Sequence, residues 1–259
     1  MPFLAFSVNK MISRNSQSKK NPVQSYKTNY VNHNIELIGN RLKLPKLGWV
    51  KVVKSREPKG RMIHATIRRN ASGSFFVSIL CEEDIPEWTK TDAAIGIDLG
   101  ITDFAVFSTG HKMDNHRFTT NMEKKLKREQ RKLSRRARVA KQNDVNLFEA
   151  KNYQKQKQNV ARLHERVANQ RNDFLNKLST DIIKNHDVIC MEDLHTKGML
   201  RNHKLAKSIS DVSWSTFVEQ LEYKANWYGR VIIKVDRWFP SSQLCSTCGH
   251  KEGKKSLSI

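Results

Sequence analysis

Two short apolar runs, residues 93–100 and 187–193, each carry an acid near their end and are held far apart by a long polar stretch of helical spacing. In the first, Asp98 is the one acid among Ala, Ile, Gly and Leu. In the second, Glu192 follows Val188, Ile189, Cys190 and Met191. Runs of this length and composition predict buried strands. A carboxylate in a buried strand is costly unless a partner offsets its lost hydration, and a divalent cation is the usual partner. Asp98 and Glu192 at neighbouring strand ends are therefore candidate ligands for Mg²⁺ or Mn²⁺. Two such ions about 3.5–4 Å apart polarise a phosphodiester and activate water for in-line attack. The competing reading has each acid capping a turn or pairing with a lysine, and the matched strand contexts weigh against it. Asp103 and Asp193 are read as bystanders, Asp193 because the residue after Glu192 on a strand faces the other way.

Between those runs, two more strands are expected at residues 104–107 and around 111–118, followed by two helices. The first helix spans residues 122 to about 142. Ten of the twenty residues 123–142 are Lys or Arg and two are Glu. The second runs from about Leu147 to Asn185, with Val160, Leu163, Val167, Phe174, Leu178 and Ile182 at helical spacing. Residues 208–228 predict one amphipathic helix with Trp214, Phe217, Val218, Leu221, Ala225 and Tyr228 on a stripe, ended by Gly229. A last strand is expected over 231–235. Upstream, residues 34–84 alternate in short apolar runs with turns at Asn40, Asn70 and Gly73, the signature of a β-rich module. Residues 1–33 are polar and predict no stable element, and Pro86, Glu87 and Trp88 read as a linker.

Charge narrows the partner. Lys and Arg number 47 against 25 acids, a formal net charge of +22. Such a field attracts a polyanion, most often nucleic acid. The first helix concentrates it in Lys124, Lys125, Lys127, Arg128, Arg131, Lys132, Arg135, Arg136 and Arg138. Like charge at that density, without acidic partners one turn away, destabilises an isolated helix. Phosphates would relieve it and make binding salt-dependent. A solvated helix is the plainer alternative. No run is long enough to cross a bilayer, and the apolar start has neither the basic flank nor the cleavage site of a signal peptide. A cytoplasmic protein without a membrane partner is expected.

Four cysteines set no disulfide framework. Cys81 and Cys190 lie singly in apolar runs and read as buried small hydrophobes. Cys245 and Cys248 form a C-x-x-C. Two thiolates rarely hold zinc alone, since a structural site takes four ligands, and the alternative of a redox-active pair lacks the βαβ pattern that goes with it. His250 is the one other ligand type nearby. Trp214, Phe217 and Tyr228 read as core. Trp49 and Tyr26 have the shape for base stacking, with packing the simpler reading.

Four ordered anchors carry a family resemblance. Gly96-Ile97-Asp98-Leu99-Gly100 with Phe104-Ala105 resembles the first RuvC motif of the TnpB/OrfB transposon-encoded nucleases, and Met191-Glu192-Asp193-Leu194 the second. Phe239 through Gln243 leading into Cys245-Ser246-Thr247-Cys248-Gly249 resembles their zinc-ribbon entry, and Lys46-Leu47-Gly48-Trp49-Val50 their β-barrel-like module. The resemblance implies an RNA-guided, metal-dependent DNA endonuclease with DNA and guide RNA as partners. Its fold would be an α/β, RNase H-like core with a long basic helical insertion, a β-rich module before it and an incomplete zinc ribbon after it. Asp98 would lie on the core's first strand and Glu192 on its fourth. They would be two of three catalytic carboxylates, with Cys245 and Cys248 as zinc ligands.

The implied organisation is a polar segment 1–33, a nucleic-acid-binding module 34–90, a nuclease core 91–240 with its insertion at about 121–186, and a partial zinc ribbon 241–259. After Cys248 there is no further Cys and no Asp, so the third acid and second C-x-x-C of the family are not in this sequence. The expectation is a shortened copy with impaired cleavage. Its rivals are a catalytically dead DNA- or RNA-binding fragment or regulator, and an unrelated basic RNA-binding protein.

Overall fold

The computed structural model describes residues 21, 23–236, 239, 243–244, 248–251 and 253. They fall into two compact units, one holding the residues up to 85 with 119–170, the other residues 86–118 with those from 171 on.

The first unit is built on two three-stranded antiparallel sheets. One orders β1 (Gln24–Asn29), β5 (Arg61–Arg69) and β6 (Phe75–Glu82); the other orders β2 (Glu36–Ile38), β3 (Arg41–Leu44) and β4 (Gly48–Lys51). Alternation sends Leu42, Leu44 and Val50 of one sheet and Ala65, Ile67, Val77 and Ile79 of the other into a shared core with Ile35 and Val52. The β5–β6 turn closes through Asn70 N–H to Ser74 and Gly73 N–H to Asn70, both at 2.9 Å, with Gly73 at φ +82°. β1 corrects the expectation of no element before residue 34. It is a polar edge strand paired with β5 from Gln24–Arg69 to Asn29–His64, and Tyr26 is its one residue packed on the core. An edge strand of this kind carries too few apolar residues to signal itself.

Two long helices follow in sequence, α1 (Phe118–Gln142) and α2 (Lys151–Asn185). The second starts four residues later than expected. Asn146 accepts the Phe148 N–H through its side chain and the Glu149 and Ala150 N–H groups through its carbonyl, which holds residues 146–150 in a turn. Within the first unit, Asn70 Nδ2 donates to Glu165 at 2.6 Å and Arg162 Nε to Ser72 at 3.3 Å, tying the β5–β6 turn to α2.

The second unit has a five-stranded sheet in the order β11-β10-β7-β8-β9. Its members are β7 (Ala94–Leu99), β8 (Asp103–Phe107), β9 (Lys112–Asp114), β10 (Val188–Glu192) and β11 (Val231–Val235). β7, β8 and β9 form an antiparallel meander, while β10 runs parallel to both β7 and β11. One face packs Ile95, Ile97, Leu99, Ile189 and Met191 against Leu175, Leu178, Ile182 and Ile183 of α2 and against Phe217 and Leu221. The single helix expected over 208–228 is two helices, α4 (Ala206–Val212) and α5 (Trp214–Tyr228), after a short α3 (Thr196–Met199). Ser213 breaks them in the left-handed region, at φ 54° and ψ 46°. Its hydroxyl donates to Ser210 and accepts from Arg171, which holds the break in place. Gly229 ends α5 in the same left-handed region, as expected. Trp88 does not behave as a linker residue: it stacks on Tyr228 with ring centroids 3.7 Å apart. Cys81 and Cys190 are half-buried rather than buried.

Candidate catalytic carboxylates and nucleic-acid interface

The β7–β10 register places the two acids together. Met191 pairs with Ile97, so one step further Glu192 stands beside Asp98 across neighbouring parallel strands, about 4.8 Å apart in the backbone. Both are on the face opposite Ile95, Ile97, Leu99 and Met191, because successive residues on a strand alternate. Both are exposed. This overturns the argument from buried charge: neither carboxylate is desolvated, and the case for a cation rests on their adjacency alone. The alternation that reveals this is legible in the sequence, where Ile95, Ile97 and Leu99 take one face and Gly96 and Asp98 the other.

The turn after Asp98 requires glycine. Gly100 donates its N–H to Phe104 at 3.2 Å, and a side chain there would put Cβ 2.8 Å from the Asp103 carbonyl oxygen. Asp103 and Asp193 stay apart from the pair. Asp103 begins β8 with Lys112 Nζ 4.0 Å away, and Asp193 lies past the end of β10, its N–H bound to Val235. Among the described residues, no three His, Cys, Asp or Glu side chains gather as a metal-binding group.

On α1, Lys124, Lys125, Lys127, Arg128, Arg131, Arg135 and Arg138 are exposed, and Lys132 and Arg136 half-buried. The helix is not without acidic partners. Glu123 pairs with Lys127 at 2.7 Å, and Glu129 with Lys132 at 2.9 Å and Arg128 at 3.2 Å. Arg136 donates to the Asn152 carbonyl. Lys124, Lys125, Arg131, Arg135 and Arg138 make no ion pair or side-chain hydrogen bond among the described residues. Glu129 also anchors α1 to α2. It accepts from the buried Gln156, whose amide reaches both its carboxylate and its carbonyl. Those bonds, first Gln156 and then Lys132, outweigh burial and hold the Glu129 carboxyl down at about 2. This acid was not singled out in the sequence, where it is one of two glutamates in a cationic run.

In the β-rich sheets, β1, β3, β4 and β5 carry Lys or Arg, and β2 and β6 none. Trp49 is 47% exposed, with Lys43 Nζ 6.0 Å from its ring. Tyr26 is turned inward, its hydroxyl donating to Pro45. Trp214 and Phe217 are buried and Tyr228 packs on the same core. Cys248 and His250 are exposed, and a Leu244–Lys251 antiparallel bridge closes the loop that contains them. Cys245 lies outside the described residues. No helix among those described is long and apolar enough to cross a membrane.

The chain is thus a mixed α/β protein with adjoining carboxylates at strand ends and a cation-dense helix. The chain belongs to the OrfB_IS605 family, described as "Probable transposase", whose model matches residues 78–221. A Cas12f1-like TNB domain model matches residues 214–258. A Streptomyces pristinaespiralis protein named "Putative RNA-guided DNA endonuclease" is 41% identical over 194 residues, covering 75% of this chain and 46% of that protein. The Escherichia coli K12 protein "Putative RNA-guided DNA endonuclease InsQ" is 32% identical over 235 residues, 85% of this chain and 56% of that one. The chain thus spans about half the length of these curated relatives. A solved Cas12f1–sgRNA–target DNA complex is 13% identical with a TM-score of 0.37, over 95% of this chain and 59% of that one.

Proposed function

We propose that the chain acts as a TnpB-type, RNA-guided DNA endonuclease with an RNase H-like core, working in the cytoplasm on DNA with a guide RNA. The observation that carries this is the placement of Asp98 and Glu192 side by side, on the exposed face of β7 and β10. The strand order supports the core assignment: an antiparallel meander of three strands with two parallel strands added on its first. As a donor set, two exposed carboxylates fit a hard divalent cation, which takes oxygen ligands and keeps several waters. Mg²⁺ or Mn²⁺ held by Asp98 and Glu192 would supply Lewis-acid stabilisation of a phosphodiester and a more acidic water. Gly100 keeps the β7–β8 turn tight beside that face. The α1 cations bind backbone phosphates and so position the nucleic acid without reading its sequence, which base pairing with a guide would read. Cys245 and Cys248 would provide two thiolates of a zinc site.

The test is cleavage of a matching DNA target by the purified chain with its transposon-end RNA and Mg²⁺, beside Asp98→Ala and Glu192→Ala. Cutting that vanishes in both variants supports the reading. Cutting that survives either one overturns the role of this pair. A second reading, a DNA- or RNA-binding protein that does not cut, is favoured by the five α1 cations that make no ion pair or side-chain hydrogen bond among the described residues; they need no chemistry to act. Its mark is salt-sensitive binding, no cleavage, and indifference to Asp98→Ala.

A further inference from the structure

The loop end of the α1–α2 hairpin forms an open cavity of about 830 Å³, within the roughly 300–1,000 Å³ range of small-ligand sites. Its floor is apolar. Val139 and Val145 line it at 51% and 41% exposure, with the half-buried ring of Tyr153 beside them. Its rim is cationic, with Lys132, Arg135, Arg136 and Lys151 against one carboxylate, Glu149. Arg136 is fixed by its bond to the Asn152 carbonyl at 2.8 Å, which holds it at the edge of the cavity. Arg135 and Lys151 have no ion pair or side-chain hydrogen bond among the described residues.

Apolar floor and cationic rim ask for different things from one ligand. Uncovered valines favour a ligand with an apolar face, and Arg135, Arg136 and Lys151, with Lys132 already paired to Glu129, outnumber Glu149 and favour an anion. A duplex offers phosphates but keeps its bases stacked, so it would meet the rim and leave the floor bare. An unpaired nucleotide meets both, its base on an aromatic and aliphatic surface and its phosphates on Arg and Lys. We propose that this hairpin end binds an unpaired nucleotide of a single-stranded segment of nucleic acid, with the base seated on Val139, Val145 and Tyr153. The site rests on the nucleic-acid reading above and adds to it a preference for single strands that the α1 cations alone do not create.

The test uses the full chain and three probes of one sequence: single-stranded DNA and single-stranded RNA, each with a 2-aminopurine, and the DNA duplex. Tyr153→Leu keeps most of the packing volume and removes the ring, and Val145→Asp puts an acid on the floor. Both are first shown to melt like the parent. Single-strand affinity should fall roughly tenfold in Tyr153→Leu and further in Val145→Asp, with loss of the 2-aminopurine fluorescence change and duplex affinity held in Tyr153→Leu. Arg138→Ala, off the floor, should weaken all three probes alike and lower the salt slope by about one. Comparing the two single strands shows whether the nucleotide is ribo- or deoxyribo-. If both floor variants bind single strands as the parent does while salt-sensitive binding persists, this inference fails and the nucleic-acid reading stands. If no probe binds with salt sensitivity, both fail.

Discussion

Arg230 meets Asp187 at 2.8 Å with 1% of its side chain exposed. The same guanidinium donates to the carbonyls of Ile183, Trp88 and Thr89 at 2.8–3.3 Å, while Asp187 accepts the N–H groups of Thr91 and Asp92. The pair thus ties the end of α2, the segment entering β7 and the start of β11 at the end of the sheet remote from Asp98 and Glu192. Removing Arg230 leaves the Ile183, Trp88 and Thr89 carbonyls without their donor, while Asp187 keeps the Thr91 and Asp92 N–H groups. Arg230→Ala should cost about 1–3 kcal/mol of stability through those carbonyls, read as a lower urea midpoint. A loss below about 1 kcal/mol would mean that the network adds nothing beyond packing.

Acid sensitivity should come from carboxylates whose folded form favours ionisation. Glu129 is held at about 2, down from 4.5. Asp187 is lowered too: burial pushes it up, but the Asp92 and Thr91 N–H groups, the Thr91 hydroxyl and Arg230 together outweigh that. A lowered carboxyl contributes stability that is complete above its unfolded value and fades as pH falls through the folded one. For Glu129 that window runs from about 4.5 down to about 2. Glu129→Gln should therefore flatten the fall of melting temperature across that window, as thermal melts at stepped pH would record. Parallel curves for the two proteins would contradict this.

The adjacency of Asp98 and Glu192 makes a prediction that needs no cleavage. Like charges side by side on neighbouring strands repel. In a chelator, Asp98→Asn should be as stable as the parent or slightly more so. Added Mg²⁺ should raise the parent's melting temperature and leave that of Asp98→Asn unmoved, as only the parent offers both carboxylates. An equal Mg²⁺ response in the two would place the ion elsewhere.

The strands that carry this pair are legible in the sequence. The strands of Asp98 and Glu192 announce themselves because apolar residues crowd around single acids, and β11 falls where Val231 to Val235 predict it. What the pattern could not supply was register, which long-range pairing decides: nothing local says that Met191 will lie opposite Ile97. β1 escaped notice because an edge strand needs few apolar residues, and Glu129 because its partner Gln156 is 27 residues away. The break at Ser213 escaped because helical periodicity continues through it, and no glycine marks the left-handed residue.

That break gives the last prediction. A non-glycine residue in the left-handed region costs about 1–2 kcal/mol, yet Ser213 accepts a bond from Arg171 at 3.0 Å and donates one to Ser210 at 3.1 Å. A hydrogen bond to a charged group contributes about 1.5–3 kcal/mol, so here the hydroxyl outweighs the strain. Ser213→Ala loses the bonds and keeps the strain, and should be the least stable. Ser213→Gly loses the bonds and sheds the strain, and should recover about 1 kcal/mol relative to alanine without reaching the parent. Denaturant midpoints in the order serine, glycine, alanine would confirm that the hydroxyl holds α4 and α5 apart. A glycine variant more stable than the parent would show that backbone strain, not the hydroxyl's bonds, dominates at this residue.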